Sequence, residues 1–213
     1  SRKAGHLEPF TRVNLLLARG REMWIVTQAE TVDAYLLLHQ DLLRMSYAAY
    51  VVETLDRFTY EEGEQLALYT LLTDTLSHLN VGAISSLALR YYEVRLLDLL
   101  GYRPQLFACA RCNRPIRPED QYFSAAQGGI LCPGCGSGTP GVIPVSLTAL
   151  KYLRHFQRSH WEEACRARLS ASVNREIENL IQHYLTYLLE RGLHTPSFIR
   201  RIRREMEDAD IQG

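Results

Sequence analysis

Cys109-Ala-Arg-Cys112 and Cys132-Pro-Gly-Cys135 stand nineteen residues apart in a chain of 213 residues that holds five cysteines. Two thiolates separated by two residues can grip one metal ion without straining the backbone. Two such grips complete the tetrahedral four-sulfur shell that zinc favours. The layout therefore predicts one structural zinc held by Cys109, Cys112, Cys132 and Cys135. Protein fills every coordination position, so no place is left for a reactive water, and the metal is expected to hold a fold together rather than do chemistry. Disulfides are one competing reading, and a thioredoxin-like redox pair is another. The chain opens with Ser1-Arg2-Lys3, with no apolar leader and no run long enough to span a membrane. It is read as cytosolic, a setting that keeps thiols reduced and makes paired motifs lean towards metal. A redox pair usually occurs singly beside a βαβ unit, and none is visible.

The residues around the cysteines agree with a small metal-stapled finger. Pro115, Pro118, Gly128, Gly129, Pro133, Gly134, Gly136, Gly138, Pro140 and Gly141 crowd the segment, which predicts tight turns and little core. Tyr122-Phe123 and Ile130-Leu131 are its apolar pairs and predict two short strands leading to the second knuckle. Cys165, in a polar, arginine-rich stretch, is read as a plain thiol.

Outward from the finger the chain is mainly helical. Residues 10–29 alternate around Arg19-Gly20-Arg21 and predict a β-hairpin. One hairpin is marginal in water, and the chain begins without methionine, so the expectation is that an N-terminal portion of a larger sheet is missing. From 31 to 100 the apolar period is helical. Leu36, Leu37, Leu43, Tyr47, Tyr50, Val51, Thr54, Leu55 and Phe58 mark one face. Leu66, Leu68, Tyr69, Leu72, Leu76 and Leu79 mark a second, and Ile84, Leu87, Ala88, Tyr91, Val94, Leu97 and Leu100 a third. Past the finger, a helix capped by Ser146 is expected to about Ser159, and another from Ser172 to Arg191.

Composition describes an ordinary globular protein, with 46% hydrophobic and 23% charged residues. Net charge is zero but unevenly spread. Residues 1–100 carry nine Lys/Arg against thirteen Asp/Glu, and residues 101–204 carry fifteen against seven. The bases are arginine except Lys3 and Lys151, and the planar guanidinium fork suits phosphate. Solvated surface charge is the plain alternative. No phosphate loop, H-E-x-x-H or G-x-S-x-G motif occurs, and no enzymatic activity is expected. A zinc hydrolase would need an open coordination position, which a four-sulfur shell lacks. His155 and His160 are not needed for that shell. Glu53 with Asp56, and Glu93 with Asp98, are read as helix-surface charges.

The stretch Tyr92-Glu93-Val94-Arg95-Leu96-Leu97-Asp98-Leu99-Leu100-Gly101-Tyr102-Arg103-Pro104-Gln105-Leu106, followed by the two cysteine pairs, resembles the bacterial DNA repair family RecO. Gly5-His6-Leu7-Glu8-Pro9-Phe10, Gln28-Ala29-Glu30 and Tyr50 with Glu53 share the likeness, which covers essentially the whole chain. The resemblance implies an N-terminal OB-fold, here only its closing hairpin at residues 1–30. A helical domain follows at 31–213, with a zinc finger inserted at 107–142. It also implies a recombination mediator with no known catalytic reaction, cytoplasmic and nucleoid-associated in a bacterium. Such a protein binds single- and double-stranded DNA, promotes strand annealing, and helps load recombinase at gaps with RecR and the single-stranded DNA-binding protein.

Annealing requires two phosphate backbones to be neutralised without reading sequence, which surface arginines can do. Arg2 and Lys3, with Arg12, Arg19 and Arg21 on the hairpin, are the first candidates; Arg111, Arg114 and Arg117 by the first knuckle rank lower. Arg200, Arg201, Arg203 and Arg204 are expected to face Glu205, Glu207, Asp208 and Asp210. The helix carrying Arg90, Tyr91 and Arg95 is a candidate to line an arginine-rimmed apolar cleft for the acidic C-terminal tail of the single-stranded DNA-binding protein. The alternative function is a zinc-stapled helical protein-interaction module with little DNA binding of its own.

Overall fold

The computed structural model describes residues 7–59, 65–81, 86–189 and Ile202. The fold is mainly helical, with small antiparallel sheets, as the periodicity predicts. The chain divides into two compact units. The first takes its described residues from 7–52, 72–81 and 202, and the second from 53–59, 65–71 and 86–189.

In the first unit, β1 (Arg12–Arg19) and β2 (Trp24–Asp33) form the expected hairpin. Gly20 donates its amide to the Met23 carbonyl and closes the turn. The second strand runs to Asp33, so residues 31–33 are strand rather than the start of a helix. Thr31 pairs with Val13 and Asp33 with Arg12, and this pairing outweighs the helical period. α1 (Leu36–His39) is a single turn, and its first amides are capped from afar. The Asn80 Oδ1 accepts from the Leu37 and Leu38 amides at 2.9 and 3.3 Å. The turn buries Leu38 and leaves Leu36 and Leu37 exposed, reversing the expected face. α2 (Leu42–Phe58) and α3 (Leu66–Val81) follow, the first unit taking α2 up to Val52 and α3 from Leu72 onward. Arg44 reaches the carbonyls of Leu79 and Asn80, placing a cation on orphan acceptors at the end of α3. Leu68, Leu76 and Leu79 of the second expected face are buried, whereas Leu66 and Tyr69 are exposed.

The second unit is built on α4 (Leu87–Leu99), whose first ten residues are all buried apart from Arg95. The finger comes next. β3 (Gln121–Ser124) and β4 (Gly129–Leu131) are the expected strands, and α5 (Pro133–Gly136) is the turn of the second knuckle. β5 (Val142–Val145) adds an unexpected third strand, giving the order β4-β3-β5. Pro144 lacks an amide hydrogen and sits on the outer strand, where that absence leaves no ladder bond unmade. α6 (Leu147–Arg158), α7 (Trp161–Ala164) and α8 (Ala171–Leu189) complete the unit. Ser146 caps α6 as expected, its Oγ accepting from the Ala149 amide at 3.1 Å.

One apolar core joins the helices of this unit to the finger. Leu87, Tyr91, Val94 and Leu97 of α4, Leu150, Leu153 and Phe156 of α6, and Ile177, Ile181 and Leu185 of α8 pack with Phe123, Ile130 and Val145 of the sheet. Phe123 and Tyr184 meet edge-on with ring centroids 5.2 Å apart.

Candidate metal centre

The finger is assembled by backbone hydrogen bonds before any metal is considered. The ribbon 107–109 pairs with 114–116: Ile116 donates to the Phe107 carbonyl and the Cys109 amide to the Arg114 carbonyl. Asn113, at φ 57°, makes the reversal between them, a conformation asparagine tolerates better than most residues. The Ala110 amide donates to Ile130, docking the first knuckle on β4. In the second knuckle the Cys132 carbonyl accepts from the Cys135 and Gly136 amides. A Cβ at Gly136 would lie 2.6 Å from Cβ and Cγ of Tyr122, so only glycine lets this knuckle close against β3.

These contacts bring the sulfurs of Cys109, Cys112, Cys132 and Cys135 within 4.8 Å of one another. Bonds of about 2.3 Å to a tetrahedral metal would hold its sulfurs ~3.8 Å apart. Cys112 and Cys132 already stand at 3.8 Å. Burial works against a charged Cys109, but amide donors of Cys112, Cys132 and Arg111 outweigh it and hold the thiol at about 6. Cys135 is pushed up to about 12, first by its hydrogen bond with the Cys132 sulfur, then by burial and the other two sulfurs. Four sulfurs this close repel one another as thiolates, and a cation among them removes the conflict. The four cysteines are thus positioned to bind a metal ion. His155 binds Ser159 Oγ through Nδ1 at 3.0 Å instead, and Cys165 is exposed and free.

The other expected site residues fall differently. Arg12, Arg19 and Arg21 are exposed on the hairpin; Arg2 and Lys3 lie outside the described residues, as do Arg200, Arg201, Arg203 and Arg204. Arg111 is engaged, donating to the Cys135 carbonyl at 2.8 Å and Thr139 Oγ1 at 3.2 Å, a strap between the two knuckles. Arg114 and Arg117 are exposed. Arg90 does not rim a cleft: it is 1% exposed and pairs with Glu93 at 3.1 Å inside α4. Glu93 is therefore no surface charge, whereas Glu53 pairs with Arg57, and Asp98 with Arg95 and Arg103, in half-exposed bridges. Tyr91 is core, edge-on to Trp161 at 5.4 Å. Arg154 and Arg158, which carry no motif, stack on Phe107 with guanidinium carbons 5.0 and 3.8 Å from the ring centroid. Their i, i+4 spacing in an acid-free helix was the only sign of them in the sequence.

Fold and site define a mainly helical protein with a four-cysteine finger positioned to bind a metal ion. The chain matches the family described as Recombination protein O C terminal over residues 39–196. It is 41% identical over 204 residues to a DNA repair protein RecO of Roseiflexus sp. strain RS-1, covering 96% of this chain and 72% of that protein. A DNA repair protein RecO of Desulforudis audaxviator strain MP104C is 34% identical over 203 residues, covering 95% and 80%. One of Dehalococcoides mccartyi strain CBDB1 is 32% identical over 191 residues, covering 90% and 75%. The chain belongs to the RecO family of DNA repair proteins. No described helix is long and apolar enough to cross a membrane.

Proposed function

We propose that this chain is a non-catalytic mediator of DNA repair whose finger holds one structural zinc. In this reading it binds single- and double-stranded DNA, promotes annealing, and acts in the bacterial cytoplasm beside the nucleoid with RecR and the single-stranded DNA-binding protein. The observation that carries it is a closed four-sulfur cluster within a RecO-family chain. All-thiolate, near-tetrahedral sites are the preference of zinc, and such a shell has no open position for substrate. Arg12, Arg19 and Arg21, with Arg2 and Lys3, supply phosphate contacts that ignore base sequence.

A second reading has one observation in its favour. The hairpin that carries those arginines also exposes Leu15, Leu16, Leu17, Trp24 and Ile25 at 43–63%, a surface suited to a protein partner. Elemental analysis of protein purified without chelator should give one zinc per chain, and a shift assay should show DNA binding that weakens steeply with salt. Zinc-loaded protein that captures the tail of the single-stranded DNA-binding protein but no DNA would support the interaction module instead.

A further inference from the structure

We propose that the face formed by α6 and the first knuckle is a second phosphate-binding surface, carried by Arg114, Arg117, Arg154 and Arg158. The inference rests on the DNA-binding reading above and assigns part of that binding to the second unit. Residues 99–118 contain four arginines and no acid, and residues 147–161 contain Lys151, Arg154 and Arg158 and no acid. Folding brings these two acid-free stretches together at Phe107. The Phe107 carbonyl accepts from Ile116, which lies between Arg114 and Arg117, while the Phe107 ring receives the two guanidinium groups of α6.

The state of each cation decides what the face can do. Arg154 spends Nε and Nη2 on the Leu106 carbonyl, at 2.9 and 2.7 Å, so it is fixed in place with Nη1 left over. Its own pKa is lowered, first by burial and then by the nearby charge of Arg158. Arg158 is exposed, and its guanidinium sits over the Phe107 ring rather than on a carboxylate. Among the described residues no carboxylate pairs with Arg114, Arg117, Arg154 or Arg158, although Arg57, Arg90, Arg95 and Arg103 each have one. The nearest acids in sequence are Glu119 and Asp120 after Arg117, and Glu162 and Glu163 after Arg158; Asp120 is occupied by the Leu147 amide at 2.8 Å, and Glu163 lies beside Lys151 and His155 of α6.

Guanidinium groups without a carboxylate partner, one held on a carbonyl and a second over an aromatic ring, suit the repeating phosphates of a nucleic-acid backbone. An acidic peptide would gain more from apolar pockets beside the charge, and here the one aromatic ring at the centre is already covered by arginine.

The test measures binding of a fluorescent single-stranded oligonucleotide to the whole chain across a salt series. Compared proteins are the unaltered chain, Arg114→Gln/Arg117→Gln/Arg158→Gln, the lysine counterpart at the same positions, and Arg12→Gln/Arg19→Gln/Arg21→Gln. Loss of three contacts should flatten the log affinity against log salt slope by about 2 and weaken binding roughly tenfold or more at low salt. The lysine variant should keep most of the slope, which separates charge loss from misfolding. If the unaltered chain shows no salt-dependent binding, the DNA-binding reading itself falls. If it binds but the glutamine variant of the finger keeps its slope, or the hairpin variant alone abolishes binding, this surface is refuted. Unchanged DNA binding with loss of binding to a polyglutamate probe would likewise overturn it, in favour of an acidic protein partner.

Discussion

The least ordinary residues are Arg90 and Glu93, 1% and 0% exposed on α4 and 3.1 Å apart. Nε and Nη1 of Arg90 are buried with no acceptor among the described residues. Desolvating two charges costs several kcal/mol per ion, and the attraction within a buried pair does not return all of it. The pair is therefore a weak source of stability, yet breaking it leaves a buried guanidinium uncompensated. Its field extends to the next residue: the Tyr92 hydroxyl is held well above its ordinary pKa, chiefly by burial and then by the Glu93 carboxylate. Glu93→Ala should cost about 3–5 kcal/mol, and Arg90→Met/Glu93→Leu should recover most of that loss. Urea unfolding midpoints of the three proteins check this; a double variant as unstable as the single would mean that the pair is a net stabiliser.

At the scale of elements, α6 depends on a cap that reaches across the fold. Glu176 of α8 accepts from the Ser146 amide at 2.6 Å and from Ser146 Oγ at 2.8 Å, while that Oγ accepts from Ala149. The cap thus fixes the start of α6 and ties it to α8. Ser146→Ala should cost about 1–2 kcal/mol, measured as a lower thermal or urea midpoint. A loss of only a few tenths would mean that Glu176 caps the bare backbone unaided. The serine was legible in the sequence, standing before a helical apolar period; the glutamate was not, because it lies thirty residues on. The same limit recurs elsewhere. The four cysteines were legible because metal ligation fixes their local spacing. β5 was hidden by Pro144, and α5 and α7 are too short for a period to declare itself. α4 is so thoroughly buried that Glu93 and Asp98 looked alike, though only the second reaches solvent. The stack of Arg158 on Phe107 joins residues far apart in the chain and left only its acid-free surroundings as a trace.

For the second unit as a whole, the question is whether the finger is an appendage or part of the core. Phe123, Ile130 and Val145 pack in one cluster with α4, α6 and α8, and Arg154 and Gln157 of α6 bind the carbonyls of Leu106 and Pro104 just before the first cysteine. Small zinc-binding peptides draw roughly 10–16 kcal/mol from their metal. A folded domain has only about 5–15 kcal/mol of net stability. Loss of the proposed zinc should therefore be felt beyond 109–135, in the helices that share the finger's core. The expected outcome on stripping the metal with a thiol-competitive chelator is a lower melting temperature. Faster amide exchange should appear in α6 and α8 together with β3 and β4, with re-addition of zinc restoring both. Cys112→Ser should reproduce the effect without chelator, since three thiolates no longer close the shell. Exchange that accelerates in the finger alone, while α6 and α8 keep their protection, would make the finger an independent module and separate its metal from the stability of the helices.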